Sequence, residues 1–433
     1  MSISGSSTVR AIVVGAGLAG LACAADLAAA GVAVQVLEAN AAVGGRMRTD
    51  QRAGFLLDRG FQVFNTSYPQ VRRRLALPDL QLCPFTPGML LHTSAGRVRF
   101  ADPTRRPGQL SDVLRGRLAG PRDLAALSVL SARDMLLPAR LVKRGPDRTT
   151  QAALAAAGIS GELTERFFRP FLAGVFLEDE LATSSRFFHL VWRSMLRGTL
   201  CLPRRGIQAV PEQLAGALPP GTVRLEKPVR ELTDDGVLLT DGSQLRAATV
   251  VVATGSAEAA ALLPGLSVPA SRTVTTVYHA APVSPLPEPT LLVDTERVVL
   301  HTSVLSEVTR GYAGDGRALI STSVLGPETG HPGQDSRPPG VDGDRPGPDH
   351  ADLEAAIRRR LAALYQTPTD GWEHLATYTV HGALPAMTAP HPLSRRCRVA
   401  PRRYVCGDHR ATGSVQGALA SGARAAREIL ADT

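Results

Sequence analysis

Lysine is all but missing from this 433-residue chain: Lys143 and Lys227 are the only two, although lysine and arginine together number 48. The formal charge of +9 is therefore an arginine excess, spread along the whole length. No basic run interleaved with aromatics is present, which argues against nucleic acid as a partner and leaves an anionic membrane surface open. Cysteine is scarce as well. Cys23, Cys83, Cys201, Cys397 and Cys406 are odd in number and scattered, with no C-x-x-C pair and no metal-ligand spacing, so neither a disulfide framework nor a metal site is expected. Free thiols of this kind suit a reducing compartment, and a cytoplasmic location is expected, with contact to the inner face of a membrane as the alternative. The opening MSISGSSTVR is short and polar and lacks the pattern of a secretory or twin-arginine leader. The apolar stretch 19–37 is interrupted by Asp26, Gly31 and Gln35, which makes it helix, turn and strand, not a membrane span. No internal repeat, Ser-His-Asp order or Walker motif is found.

What is present begins at once. The β-branched run Ala11-Ile-Val-Val14 leads into Gly15-Ala16-Gly17-Leu18-Ala19-Gly20, then an alanine-rich helix to about Ala30, then a strand from Val32 to Leu37 that ends at Glu38 and Ala39. This is a βαβ opening with G-x-G-x-x-G at the strand-to-helix turn. Gly15 makes the tight turn, Gly17 lets the backbone approach a pyrophosphate, and Gly20 lets helix and strand pack closely. The helix N-terminus then faces phosphates, and Glu38 reaches the ribose hydroxyls of an adenosine. At 44% hydrophobic, the chain is long enough for such a domain and a second one. Just beyond, Gly44-Gly45-Arg46-Met47-Arg48-Thr49 offers a second close backbone approach and a charge for the diphosphate.

The middle carries weaker signals. Between Arg59 and Leu200, leucine- and arginine-rich helical patches alternate with Pro and Gly breaks, which predicts a mostly helical cap. The segment 222–240 reads as two strands around Asp234-Asp-Gly236, and Val250 to Ala253 as a buried strand ending in Thr254-Gly255. The segment 326–350 is rich in Gly, Pro and Asp without periodicity and is expected to be a mobile loop. Leu124, Leu127, Leu130, Leu137 and Leu141 recur at near-helical spacing around a kink at Pro138. An amphipathic helix packed on the cap is preferred over one lying in a membrane interface. Phe167, Phe168, Phe171, Phe176, Phe187, Phe188 and Trp192 are either core or a substrate tunnel. Glu178, Asp179 and Glu180 read as a solvated turn.

With the Tyr404-Val-Cys-Gly407-Asp408 strand end and the helix from Ser414 to Glu428, these motifs resemble the flavin amine oxidase, protoporphyrinogen oxidase and phytoene desaturase superfamily. The resemblance is close over roughly 9–65 and 400–430 and looser between. It implies an α/β fold: a Rossmann-like FAD-binding domain of glutathione-reductase type from 1–65, 202–270 and 390–433, and a substrate domain of helices plus sheet from 66–201 and 271–389. It also implies that Gly45 and Arg46 touch the FAD pyrophosphate and that the Asp58-Arg-Gly60-Phe61-Gln62 segment passes the flavin ring, with Gly60, Phe61 and Gln62 against the cofactor. By the same resemblance Val229, Ala253 and Thr254 lie on the adenosine side, and Gly407 and Asp408 contact the ribityl or phosphate oxygens. Ser414, Val415 and Gln416 would begin a helix aimed at flavin N1 and the C2 carbonyl, where its dipole stabilises the reduced ring.

Two departures narrow the chemistry. No lysine follows Lys227, whereas many family amine oxidases hold a water at flavin N5 with one. Val380-His-Gly-Ala-Leu-Pro385 stands where some members carry a flavin-linked cysteine, so the FAD is expected to be non-covalent. The resemblance thus implies dehydrogenation of a small apolar organic substrate, polyene- or tetrapyrrole-like, by hydride transfer to N5, with oxygen or a quinone as electron acceptor. The alternatives are an amine or amino-acid oxidase, and a redox-neutral isomerase or non-catalytic FAD protein. A catalytic side chain need not exist, because the flavin carries the hard step. The residues weighed for that role are His409, either a proton carrier or a solvent-facing cap, and His381, for which a structural role is preferred.

Overall fold

A computed structural model of the protein describes residues 11–94, 96–100, 119–326 and 348–432. The β-branched runs of the sequence become the centre of a largely parallel sheet. Ala11–Val14 pairs in parallel with Val34–Leu37 on one side and Thr249–Val252 on the other. Val223–Arg224 extends the sheet beyond Val34–Leu37, and Arg403–Val405 extends it beyond Thr249–Val252, both in parallel. Arg398–Ala400 closes that edge antiparallel. Strands buried on both faces need continuous apolar sequence, which Ala11-Ile-Val-Val and Thr249-Val-Val-Val supply. Helices Leu18–Ala29 and Val415–Asp432 pack against each other so closely that a Cβ at Gly422 would collide with the Ala19 carbonyl. Both ends of the chain and a central segment are thereby joined in one layer.

The second layer is a sheet of seven strands among the described residues, in the order Glu373–Pro385, Ser271–Ala281, Ala318–Leu325, His301–Val304, Leu292–Asp294, Met89–Thr93 and Gly96–Phe100. Every pairing is antiparallel except Leu292–Asp294 with Met89–Thr93. Helices Pro121–Leu136, Arg169–Phe176 and Ser185–Arg197 gather the aromatic residues: Phe167, Phe168, Phe171, Phe176, Phe187, Phe188 and Trp192 all fall in one buried cluster with Leu127 and Leu130. These aromatics are core.

Several expectations need correction. Pro138 ends a helix instead of kinking it, and Ala139–Arg144 is a separate short helix. Of that leucine series Leu127 and Leu130 are buried, whereas Leu141 is exposed, as are Val129 and Leu136 beside them. The 222–240 stretch is divided: Val223–Arg224 joins the parallel sheet, and Val229–Thr233 and Gly236–Leu239 form a hairpin that Gln244–Arg246 extends. The segment read as a mobile loop lies mostly outside the described residues, and a helix, Pro348–Tyr365, already includes its last three positions. No helix of the described residues is long and apolar enough to cross a membrane.

Glu178 is not in a solvated turn. It is 3% exposed, and its carboxylate accepts the N–H groups of Glu180 (2.8 Å), Ala182 (3.4 Å) and Thr183 (3.1 Å) and the Thr183 hydroxyl (2.7 Å). It organises the reversal between the aromatic helices, a role that a local run of acids does not reveal. Glu178→Ala strands these donors in the interior and is expected to cost on the order of 3 kcal/mol in urea unfolding, with Glu178→Gln costing less. A loss below about 1 kcal/mol for the alanine variant would remove this role.

Candidate cofactor and active site

Sterics on both sides shape the first glycine turn. Gly15 has φ +104°, and a Cβ there would stand 2.9 Å from the Ala253 carbonyl oxygen. A Cβ at Gly20 would collide with the Gly15 carbonyl. Gly17 is different: its φ of −75° suits any residue, and nothing lies within 4 Å of a Cβ added there. The open space it faces is shared with the second turn. Gly45, at φ +59°, comes so near that its added Cβ would stand 3.6 Å from Gly17 Cα, and Gly44 N–H donates to the Ala16 carbonyl at 2.9 Å. Two glycine turns separated in sequence thus converge at the N-terminus of Leu18–Ala29. That helix has no side-chain cap and no acid in its first turn, which leaves N–H groups there for an anion.

Glu38 is buried at the end of its strand. One carboxylate oxygen accepts Ala16 N–H at 2.8 Å, and the other accepts the backbone N–H (3.0 Å) and side-chain amide (2.7 Å) of Asn40. Ala39 beside it is exposed, and Met47 packs into the core under the turn. Lys227 N–H donates to the Glu38 carbonyl at 2.8 Å, which draws the segment leading to Val229 alongside. Ala253 N–H donates to Val14, and partly exposed Thr254 follows at that strand's end.

Arg46 and Asp408 meet each other. The guanidinium donates to Asp408 Oδ1 at 2.7 Å and to the carbonyls of Ala383 (2.7 Å) and Gly382 (3.2 Å), while Gln62 Nε2 donates to the Arg46 carbonyl at 2.8 Å. Burial pushes the Asp408 carboxyl up, but the Arg46 charge outweighs it and holds the group below its ordinary value. This ion pair ties the second glycine turn to the Gly407-Asp408 corner and to the end of Glu373–Pro385.

His409 is not the solvent-facing cap that was one of its two readings. It is 2% exposed, neither ring nitrogen has a partner, and burial lowers it to about 4 against the pull of Asp408. His381 is exposed on Glu373–Pro385, next to Val380, whose methyl lies 3.3 Å from a Cβ added at Gly60. Ser414 caps the last helix by accepting Gly417 N–H at 3.1 Å, and the N–H groups of Val415 and Gln416 have no protein acceptor among the described residues. The Gln416 side chain itself turns away to accept Gln70 N–H at 2.9 Å.

Two roles escaped the sequence reading, which placed Asp58 only at the start of the flavin-ring segment and did not mark His301. Asp58, 2% exposed, accepts the Thr49 hydroxyl (2.6 Å), Ile207 N–H (3.0 Å) and the Tyr312 hydroxyl (2.7 Å), while Tyr278 donates its hydroxyl to the Asp58 carbonyl (2.7 Å). The Gly60-Phe61-Gln62 segment is thereby anchored on the seven-stranded sheet. Phe61 N–H then donates to Thr276 Oγ1 at 3.3 Å, and the Phe61 ring rests on His301 with centroids 4.7 Å apart. No motif marks His301, and only the sheet register brings it here.

A cleft of about 1270 Å³ lies elsewhere, between Ser185–Arg197, Pro69–Arg74 and Val415–Asp432. It shares Ser414 and Gln416 with this site but includes neither glycine turn, Phe61 nor His301, so volume alone does not locate the chemistry.

A parallel sheet with two converging glycine turns, an acidic strand end and a later helix N-terminus, set against a separate antiparallel sheet, defines a dinucleotide-binding flavoprotein. The chain belongs to the flavin containing amine oxidoreductase family, whose model matches residues 18–430. By that membership it is an FAD-dependent oxidoreductase. Among solved structures it resembles one from Exiguobacterium sp. 255-15 provisionally described as a protoporphyrinogen oxidase, at 18% identity and TM-score 0.71, covering 99% of this chain and 100% of that one. It also resembles cyclohexylamine oxidase from Brevibacterium oxydans IH-35A at 18% identity and TM-score 0.68, covering 98% and 99% of the two chains. Putrescine oxidase bound to putrescine is similar at 19% identity and TM-score 0.64, with coverage of 98% and 99%. At such identities these likenesses show the shared fold. An L-amino-acid oxidase of Crotalus adamanteus is 41% identical over 81 residues, which are 19% of this chain and 16% of that protein.

The residues present fit FAD. The space at Gly17 and Gly45 is kept clear of side chains, and the N–H groups at both helix starts await acceptors. Both nitrogens of buried His409 also lack partners.

Proposed function

We propose that the chain dehydrogenates an apolar organic substrate, polyene- or tetrapyrrole-like, with non-covalent FAD held by the segments 15–20, 38–39, 44–47, 60–62, 253–254, 407–408 and 414–416 and by Val229. In this reading the chain divides into an FAD-binding domain of 1–65, 202–270 and 390–433 and a substrate domain of 66–201 and 271–389. FAD, when bound, supplies the two-electron acceptor. The Leu18–Ala29 helix start and the Gly17 and Gly45 turns would hold its diphosphate, Glu38 its ribose, and the Val415 and Gln416 N–H groups would offer positive partial charge to the ring.

The observation that carries the substrate class is a buried apolar cluster that reaches the Gly60 turn through Val380, whose methyl lies 3.3 Å from a Cβ added at Gly60. Ala173, Leu177, Val274 and Leu300 are buried together there, with Val380, Ala383 and Leu384 packed against them. Burial lowers His301 to about 4, which keeps it uncharged near neutrality, while burial lowers Arg272 against the opposing pull of Glu178 and Asp179. Neither lysine belongs to this cluster: Lys227 pairs with Asp241 at 3.3 Å, and Lys143 is exposed on Ala139–Arg144, where it lines the separate cleft. An amine or amino-acid oxidase is the second reading, favoured by the local likeness to L-amino-acid oxidase. Oxygen or a quinone would accept the electrons, and no nucleic acid partner is proposed.

Anaerobic mixing of the FAD-loaded protein with polyenes, porphyrinogens and amines tests this by the bleaching of the flavin absorbance. Bleaching by a polyene or porphyrinogen is expected. Bleaching by amines alone would replace this reading with the second, and bound FAD that nothing bleaches would favour a redox-neutral role.

A further inference from the structure

Across the seven-stranded sheet, His301, Ser323, Thr276 and Tyr378 stand opposite one another in register and so form one transverse row on one face. Phe61 lies over this row, its N–H on Thr276 Oγ1 and its ring on His301. Thr276 is satisfied within the row by the Ser323 hydroxyl at 3.1 Å, and Tyr278, on the same face two residues along, by Asp58. His301 is the exception. It is 7% exposed, and its Nε2 is buried with no hydrogen-bond partner. The helix Arg169–Phe176 makes room for the ring with a glycine, since a Cβ at Gly174 would stand 2.8 Å from His301 Nδ1. An uncharged imidazole with a bare buried nitrogen costs free energy unless something other than protein satisfies it. Ala173 and Leu300, the chain neighbours of Gly174 and His301, belong to one buried apolar cluster with Val274, and the ring is covered by Phe61, which is only partly buried.

We propose that His301 is a substrate-positioning residue, its Nε2 hydrogen-bonding a single uncharged oxygen, a hydroxyl or carbonyl, on an otherwise apolar substrate lodged beside Phe61. The inference rests on the apolar-substrate reading for its location, but it predicts a selectivity of its own. A site with one bare polar atom in an apolar wall discriminates strongly between a ligand that satisfies the atom and one that buries it unpaired. The oxygen also fixes which carbon of a long, featureless chain lies at the reacting position.

Two matched probes test it: a linear hydrocarbon polyene and the same polyene with one terminal hydroxyl, titrated into the FAD-loaded protein while the bound flavin's visible spectrum reports binding without turnover. The wild type is expected to bind the hydroxylated probe about tenfold or more tighter. His301→Leu is expected to abolish this preference while retaining FAD and its melting temperature, and His301→Gln to restore part of it. A preference that survives in His301→Leu, or is absent from the wild type, overturns the proposal. Because binding is read, bleaching by amines in the separate turnover experiment would sink the apolar-substrate reading without deciding this one.

Discussion

Gly17→Glu is expected to yield a folded protein that holds no FAD. The three glycines of the first turn have different reasons to be glycine, and only the middle one faces open space. A side chain at Gly15 would be strained at φ +104° and would press on Ala253, and one at Gly20 would collide with Gly15, so substitutions there damage the fold itself. At Gly17 the backbone is ordinary and the surrounding space is empty, so a glutamate has room. It would place its carboxylate at the uncapped start of Leu18–Ala29, which favours the apoprotein by about 0.3–1 kcal/mol. In the holoprotein the same carboxylate would stand where the diphosphate belongs. Like charges in contact cost several kcal/mol, and a loss of only about 3 kcal/mol already weakens FAD roughly a hundredfold. The expected result is colourless protein on purification, failure to take up added FAD, and an apoprotein melting temperature at or slightly above that of the unmutated apoprotein. Yellow protein with normal FAD content would move the diphosphate away from this turn, and with it most of the proposed site.

Local sequence carried the cofactor side of this molecule because the chemistry there is local. Strand, glycine turn, helix and terminal acid follow one another within 11–38, and each residue's reason is visible from its neighbours. The seven-stranded sheet was not legible in detail. Its strands come from 89–100, 271–325 and 373–385, and alternation is lost in the central ones because they are buried on both faces, as ten of the eleven positions of Ser271–Ala281 show. His301 was missed for that reason, since nothing within its own strand distinguishes it from a core histidine. Arg46 and Asp408 were each assigned to the cofactor, yet they bond to each other across 362 positions of sequence. Glu178 illustrates the opposite error: three adjacent acids resemble a wet surface, and only the folded reversal shows one of them turned inward onto backbone N–H groups.

Asp58 joins these two halves, and its variants should show the largest effects on stability. Asp58→Leu leaves the Thr49 hydroxyl, Ile207 N–H and the Tyr312 hydroxyl without their acceptor, at a cost on the order of 4 kcal/mol near pH 4, where the wild-type group is still protonated. Asp58→Asn behaves differently, because it can still accept hydrogen bonds and does not titrate. Burial raises the Asp58 carboxyl from 3.8 to about 6, against the opposing pull of its three donors. In the unfolded chain the group ionises near its ordinary value, so from about pH 4 to about pH 6 the unfolded state loses the proton first and wild-type stability falls as the pH rises. The total fall from this group is about 3 kcal/mol, complete above the folded value and absent below the unfolded one. The stability of Asp58→Asn relative to wild type should therefore improve by about that amount between pH 4 and pH 7 in urea unfolding. A difference independent of pH would mean that Asp58 is not held neutral at the acid end. The carboxylate would then be no more than a surface-like anchor for Gly60 and Phe61. If the slope appears, the anchor beneath the proposed flavin segment carries a charge that the fold tolerates at a cost. The three donors are what keep that cost low enough for the FAD side to remain fixed on the substrate sheet near neutral pH.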